Sequence, residues 1–407
     1  MKIFLIISII IAINTSLFAK PKGYPPIFSN ESNASEYDWN AIDSKWINTR
    51  ALLMAAFDST YYKDNETIPN IDHYSKTDVR GVRVGVGGTV NFKKPWLYLI
   101  SGSINSFAKD FNSSTDDSAT LYDALLDIPI HDKYGRMQIG RMKEPISMER
   151  LMGMVFEQVM ERPMHLDTFT TTRNDGIAYS NLYFNERVSF RSGLFKDKNL
   201  DWTSRLSAIA YYNSKQHRLL HLAVSYRYEK IKDNTIDFTV KPEQYFVSPI
   251  IDTGDIKASK DDTLNLEFSY LDNSLWIASE YTGKYIHRTD GSNLYFYGFH
   301  SSFSYFVSGE KRGYNKKWGI VRRIRPKIDF DEGGLGALEL AYRYSYINLN
   351  SNDINSGTMY INSIGAIWHA TYETQFHLQF TRAVPNLPTQ EIKPLDSIQM
   401  RFVLVID

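Results

Sequence analysis

The side chains best suited to chemistry in this chain are arginines and lysines spaced two residues apart. Arg323, Arg325 and Lys327 alternate with Ile324, Pro326 and Ile328, and Arg187, Ser189 and Arg191 alternate with Val188, Phe190 and Ser192. Arg83 sits between Val82 and Val84, and Arg227, Arg343 and Arg401 hold the same kind of position. Guanidinium groups on alternate residues of an extended strand share one face, where they can take up an anion's oxygens and pass it along. Glu229, Glu267, Glu280 and Glu339 fall on the same expected faces. The competing reading is therefore a mixed wall in which arginines pair with carboxylates and merely hold water.

Such rows need strands, and the hydropathy pattern supplies them. Leu338, Leu340, Tyr342, Tyr344 and Tyr346 alternate with Glu339, Ala341, Arg343 and Ser345. Leu220 to Tyr228, Tyr295 to Val307 and Ile398 to Ile406 repeat the pattern. Period 2 sustained over 10–14 residues outruns the roughly 5–6 residues of an ordinary globular strand. A soluble sandwich would bury the apolar face, whereas a membrane barrel turns it to lipid and wets the other. Length, aromatic residues clustered near strand ends, and unequal turns favour the barrel. The expected long turns are Ile286 to Asn293, Asp329 to Gly336 and Asn348 to Gly357. Counting from Trp46 gives 16 to 18 strands, most simply 16, in a closed antiparallel transmembrane β-barrel wide enough for an aqueous channel.

One segment breaks the rhythm. Pro145 to Arg173 is too long for a turn, and Met148 to Glu161 reads as helical. Connections beyond about 12–15 residues are usually functional or disordered. Folded into the lumen, this loop would bring Lys143, Arg150, Arg162, His165 and Arg173 to a constriction opposite Glu149, Glu157, Glu161 and Asp167.

Upstream, Lys2, the apolar run Ile3–Ile13 and Ala19 form a signal-peptide pattern over residues 1–19, with cleavage expected after Ala19. Residues 20–44 read as a flexible periplasmic lead-in and residues 45–407 as the barrel. The composition agrees: 27 Tyr, 23 Phe and 7 Trp, no cysteine, and 46 basic against 46 acidic residues. Zero net charge argues against a nucleic-acid binder, and the lack of cysteine removes thiolate metal sites and cysteine nucleophiles. No G-x-S-x-G, H-E-x-x-H or P-loop pattern occurs, Gly81–Val90 alternates like a strand, and His217, His221, His369 and His377 form no ligand spacing. A channel without enzymatic activity, cofactor or metal is the expectation. A plugged structural or adhesive barrel and an outer-membrane hydrolase are the alternatives.

GRMKEPISMERL (Gly140–Leu151), VMERP (Val159–Pro163) and RNDGIAYS (Arg173–Ser180) resemble the phosphate-selective porin O and P family. So do KPEQYFVSPIIDTGDI (Lys241–Ile256) and YFVSGEKRGYNKKWG (Tyr305–Gly319). The resemblance implies a 16-stranded homotrimeric porin in the outer membrane of a Gram-negative bacterium, surrounded by lipid and passing small inorganic or organic anions such as phosphate. Phosphate-selective members resemble one another in an arginine-rich strand ahead of the P-E pair. Here that stretch is IDFTVKPEQ, with Lys241 as its only base, and the basic ladder lies instead at Arg323 to Lys327.

Overall fold

The computed structural model describes residues 42–406, except 64–66, 68–74, 105–119, 132–133, 197 and 389. The expected signal peptide, and the lead-in up to residue 41, lie outside the described residues. Ile42–Asp43 already pair with Asn48 and Thr49, so extended structure begins inside the segment read as lead-in.

Sixteen antiparallel strands close on themselves. They are β1 (Ile47–Tyr62), β2 (Ser75–Val90), β3 (Trp96–Ile104), β4 (Thr120–His131), β5 (Gly135–Lys143), β6 (Arg173–Tyr183), β7 (Val188–Lys196) and β8 (Leu200–Asn213). They continue as β9 (Arg218–Lys230), β10 (Ile256–Asp272), β11 (Leu275–Arg288), β12 (Leu294–Phe306), β13 (Ala337–Ser351), β14 (Ile354–His369), β15 (Thr374–Asn386) and β16 (Leu395–Ile406). Each strand pairs with the next, and β1 pairs with β16 from Leu53↔Ile406 to Tyr62↔Ser397, so the cylinder has no open edge.

The faces are inverted relative to a soluble protein. Leu340, Ile364, Leu378 and Met400 are about half exposed. Their neighbours Glu339, Arg343, Ser363, His377, Gln399 and Arg401 are buried. Phe303 and Tyr342 pack ring to ring on the outer face across β12 and β13, as do Phe376 and Phe402 across β15 and β16. A closed sheet satisfies its backbone internally, which lets it present this face to lipid.

Strand β1 begins and β16 ends at one rim, here the near rim. Among the described residues, the near-rim connections are tight turns such as 273–274, with one exception at 307–336. The far rim carries 144–172, 231–255 and the expected long turn at Asn348–Gly357. That last turn shrinks to Asn352–Asp353, because β13 and β14 continue their pairing to Ser351↔Ile354.

Among the described residues, three connections enter the lumen. Segment 144–172 carries α1 (Met148–Leu151), a 3-10 turn at Met154–Phe156 and α2 (Met164–Phe169). The single helix expected over Met148–Glu161 is thus two short helices and a turn. Gly153, between the first two, is extended and so breaks the helix. Segment 231–255 folds over inward apolar residues at the far ends of β10 to β16, its Phe238, Val240, Val247 and Ile251 packing with Phe296, Ile347 and Met359. Segment 307–336 enters from the opposite rim and forms a small hairpin, Tyr314–Asn315 against Ile320–Val321. Its Tyr314 and Val321 meet Met148, Met152 and Phe156 of the first segment over Trp276.

Candidate functional site

The lumen wall starts from strand alternation: β2 turns Arg83 inward, β9 Arg227, β13 Arg343 and β16 Arg401, and all four are buried. Each finds carboxylates. Arg83 Nη2 reaches Asp123 Oδ2 at 2.6 Å and its Nε donates to Ser101 Oγ. Arg173, the first residue of β6, takes the other Asp123 oxygen at 2.8 Å and stacks on Tyr122. Arg227 is shared among Glu144, Asp201 and Glu229. Arg343 donates to Glu243 at 2.6 Å and faces Glu149 at 3.7 Å. Arg401 grips Asp58 with two bonds of 2.6 Å and also meets Glu161.

The last pair belongs to a lock between the loop and the wall. Glu161 accepts two bonds of 3.1 Å from Arg80 as well as one from Arg401. Burial opposes its ionisation, yet Arg80 and Arg401 outweigh that and hold the carboxyl down at about 2. Glu149 goes the other way. Burial, then the charge of Glu157, push it up to about 7 against Arg343. His165 inserts between β11 and β12, with Nδ1 3.0 Å from Thr282 Oγ1 and Nε2 3.1 Å from His300 Nδ1. Burial, then Arg343 and Arg150, keep it neutral, down at about 3. A Cβ on Gly298 would lie 2.3 Å from the His165 Cβ, so this close approach requires glycine.

Several sequence-expected residues stand elsewhere. Arg187 is exposed in the turn between β6 and β7 rather than on the inner wall, because β7 begins only at Val188. Arg323, Arg325 and Lys327 form no strand ladder, since they lie in the irregular part of 307–336 after its hairpin. Arg323 is buried against the Tyr372 ring and donates to the Tyr372 carbonyl, Arg325 is exposed, and Lys327 Nζ donates to Ser308 O at 2.9 Å. Lys143 and Arg150 reach the lumen but point into the protein. Lys143 Nζ donates to Leu151 O and Met152 O. Arg150 donates to Thr170 Oγ1, Thr170 O and Leu166 O and pairs with Asp167 at 2.9 Å. Arg162 holds Glu157 at 2.9 Å and Met152 O. These cations fasten the loop instead of facing an open gap.

Other lumenal residues escaped sequence reading. Arg205 pairs bidentately with Glu267 at 2.6 and 2.7 Å and donates to Trp318 O and Gly319 O. The alternation of Asp201, Thr203, Arg205 and Ser207 with Trp202, Ser204 and Leu206 was the signal for it. Arg312 reaches both oxygens of Glu339 at 2.6 and 2.7 Å and the Phe156 carbonyl. It lies in a loop with no periodicity to give it away. Arg191, by contrast, was named from the sequence; it is buried, stacks on Trp318 at 3.9 Å and donates to Gln138 Oε1 at 2.8 Å.

A closed barrel with a polar inner wall and inward loops is the arrangement of a channel, and comparison with known proteins gives the family. The family model described as phosphate-selective porin O and P matches residues 49–406. The chain belongs to this family. An uncharacterized protein of Caulobacter vibrioides is 27% identical to this porin over 254 residues, 58% of this chain and 50% of that protein. The porin thus spans about half the length of that curated relative. Among solved structures, OmpT of Vibrio cholerae matches with a TM-score of 0.57 and 9% identity, over 90% of this chain and 100% of that one. An anion-selective porin from Comamonas acidovorans matches with a TM-score of 0.53 and 10% identity, over 88% and 100% of the two chains. At such identities these likenesses show the fold alone. Family and fold agree: the sixteen-stranded barrel is the architecture shared by the porins it resembles.

Proposed function

We propose that this porin lets small hydrophilic solutes diffuse passively across the outer membrane of a Gram-negative bacterium, as a homotrimer, with a moderate preference for anions such as phosphate. The observation that carries the reading is the inverted barrel wall, apolar outside and charged within. Most inward arginines are already paired, so the preference is moderate rather than strict. The near rim, with its mostly tight turns, is assigned to the periplasmic side by the usual asymmetry of such barrels. The family's description and the anion-selective neighbour support the anionic direction.

Planar-bilayer recording tests it. Steady conductance steps in threes, and a reversal potential in a salt gradient that favours chloride over potassium, are expected. A cation-favouring potential refutes the preference. A second reading, a plugged barrel with a structural role, is favoured by one observation: loops from both rims meet in the lumen over Trp276. Silent bilayers with correctly folded protein decide for it.

A further inference from the structure

The outer face of the barrel carries charge at one place, along the far ends of β5 to β11. Arg141 lies opposite Asp175, Asp175 opposite Lys196, and Lys196 opposite Leu200. Leu200 then pairs with Lys230, Lys230 with Lys260, and Lys260 with His287. These outward side chains thus form a single row across the strands. Arg141 holds Asp175 at 3.3 Å. Lys196 and Lys230 are exposed and Lys260 is half-buried, and among the described residues no carboxylate lies within ion-pair distance of the three. Asp262, one step below the row, is taken by the Tyr226 hydroxyl and by His287 Nε2 at 2.6 Å. Exposed Lys198 and Lys232 stand in the connections just above. Like charges directly opposite on paired strands repel, and the strands lie only about 4.8 Å apart, so Lys230 facing Lys260 costs stability unless an anion sits between them. Across β12 to β15 a registered row at the same rim, Tyr297, Asn348, Thr358 and Asn386, carries no charge.

We propose that Lys196, Lys230 and Lys260 dock the phosphorylated headgroup of a glycolipid in the outer leaflet, on the outside of the barrel. The inference goes beyond solute passage and rests on the outer-membrane reading for one point, that the far rim faces the exterior. Depth supports a lipid partner. Directly below the row, toward the middle of the strands, Trp202 and Tyr226 pack edge to face at 5.7 Å, and Lys260 Nζ lies 5.8 Å from the Tyr228 ring. Such aromatic residues mark the headgroup level, so the ammoniums stand among phosphates. Farther down, exposed Leu222, Leu264 and Leu266 offer an apolar wall to the acyl chains of the same molecule. Lysines beside an anionic leaflet each add attraction, and ammonium donors on neighbouring strands can share one phosphate's oxygens. A second copy of the chain fits this face poorly, because burying three unpaired ammoniums is costly. In a trimer this arc therefore faces lipid.

The test places the full-length barrel in phosphatidylcholine nanodiscs containing a varied minor share of lipid A, a diphosphorylated disaccharide lipid, and counts the lipid A retained per barrel by native mass spectrometry. Lys196→Gln, Lys230→Gln and Lys260→Gln are each expected to raise the half-saturating lipid A share about fivefold, and the three together about a hundredfold. The triple exchange to Arg keeps the charge and should keep retention, which separates loss of binding from a folding defect. Lys215→Gln, in the exposed near-rim turn between β8 and β9, should change nothing. Lipid A lacking one phosphate should be held more weakly. Displacement of lipid A by millimolar inorganic phosphate, or phosphatidylglycerol held as tightly, overturns the headgroup assignment. A conducting barrel whose lipid A retention ignores the triple exchange to Gln overturns the docking row and leaves the channel reading standing. Retention that depends on the row in a barrel silent in planar bilayers supports the row and fails the channel reading.

Discussion

Removing the negative charge of Glu161 should loosen the whole 144–172 segment from the wall. Glu161 is the meeting point of Arg80 and Arg401, and among the described residues Asp58 is the second carboxylate that both arginines meet. Its carboxyl falls from the ordinary 4.5 to about 2, which amounts to roughly 3 kcal/mol of docking free energy. Because the docked value is depressed, that contribution is fully present above about pH 4.5 and fades as pH falls through about 2. Glu161→Gln imposes the loss at every pH, leaving two buried guanidiniums to share Asp58. An effect of about 3 kcal/mol corresponds to about a hundredfold rise in the population of undocked loop. Two assays read it: the frequency of flicker in single-channel current at neutral pH, and the rate of limited proteolysis within residues 144–172. The parent protein should acquire both behaviours only below about pH 4. The double variant Glu161→Gln/Arg80→Gln should cost less than the two single changes added together. A variant as quiet and as protease-resistant as the parent would refute the idea that this lock holds the loop.

Other expectations follow from the same geometry. Glu149, raised to about 7, disfavours docking progressively as pH climbs from 4.5 toward 7 and no further above it; Glu149→Gln should abolish any conductance step centred near pH 7 in a pH series. Leu340→Arg places a charge on the lipid face and should cost about 2–4 kcal/mol if it lies near the bilayer midplane, measured by urea titration of folding into vesicles. Exchanging Arg323, Arg325 and Lys327 together for Ala should shift the reversal potential little, because Arg323 is buried against Tyr372, Arg325 is exposed and Lys327 already serves Ser308.

The barrel was legible because its signal is repeated on every strand. Leu338 to Tyr346 and Ile398 to Ile406 lie with the predicted faces outward, and the inward assignments of Glu267, Glu280 and Glu339 hold. Rims were harder. Arg187 obeys the alternation of β7 but falls one residue before it starts, where a turn replaces the pleat. The run from Arg323 to Lys327 looks like a strand face, yet Pro326 cannot donate to a ladder and the segment has no neighbour to pair with. In the inward loops, position depends on contacts made across the lumen, such as Arg312 with Glu339 or His165 with His300, and local spacing does not encode these. The far ends of β10 to β16 add another complication. Phe296 and Ile347 are apolar on the inner face because segment 231–255 covers them, so the two-sided pattern fades there.

The seam between β1 and β16 has a bearing on assembly. Until the last dozen residues arrive, the growing sheet has two raw borders, one on β1 and one on β15, whose amides find no water once inside hydrocarbon. The penalty is borne by the entire unfinished sheet and vanishes at one stroke when Leu53 meets Ile406. Insertion and zipping up must then proceed together, so that a half-built sheet is never left stranded in the bilayer.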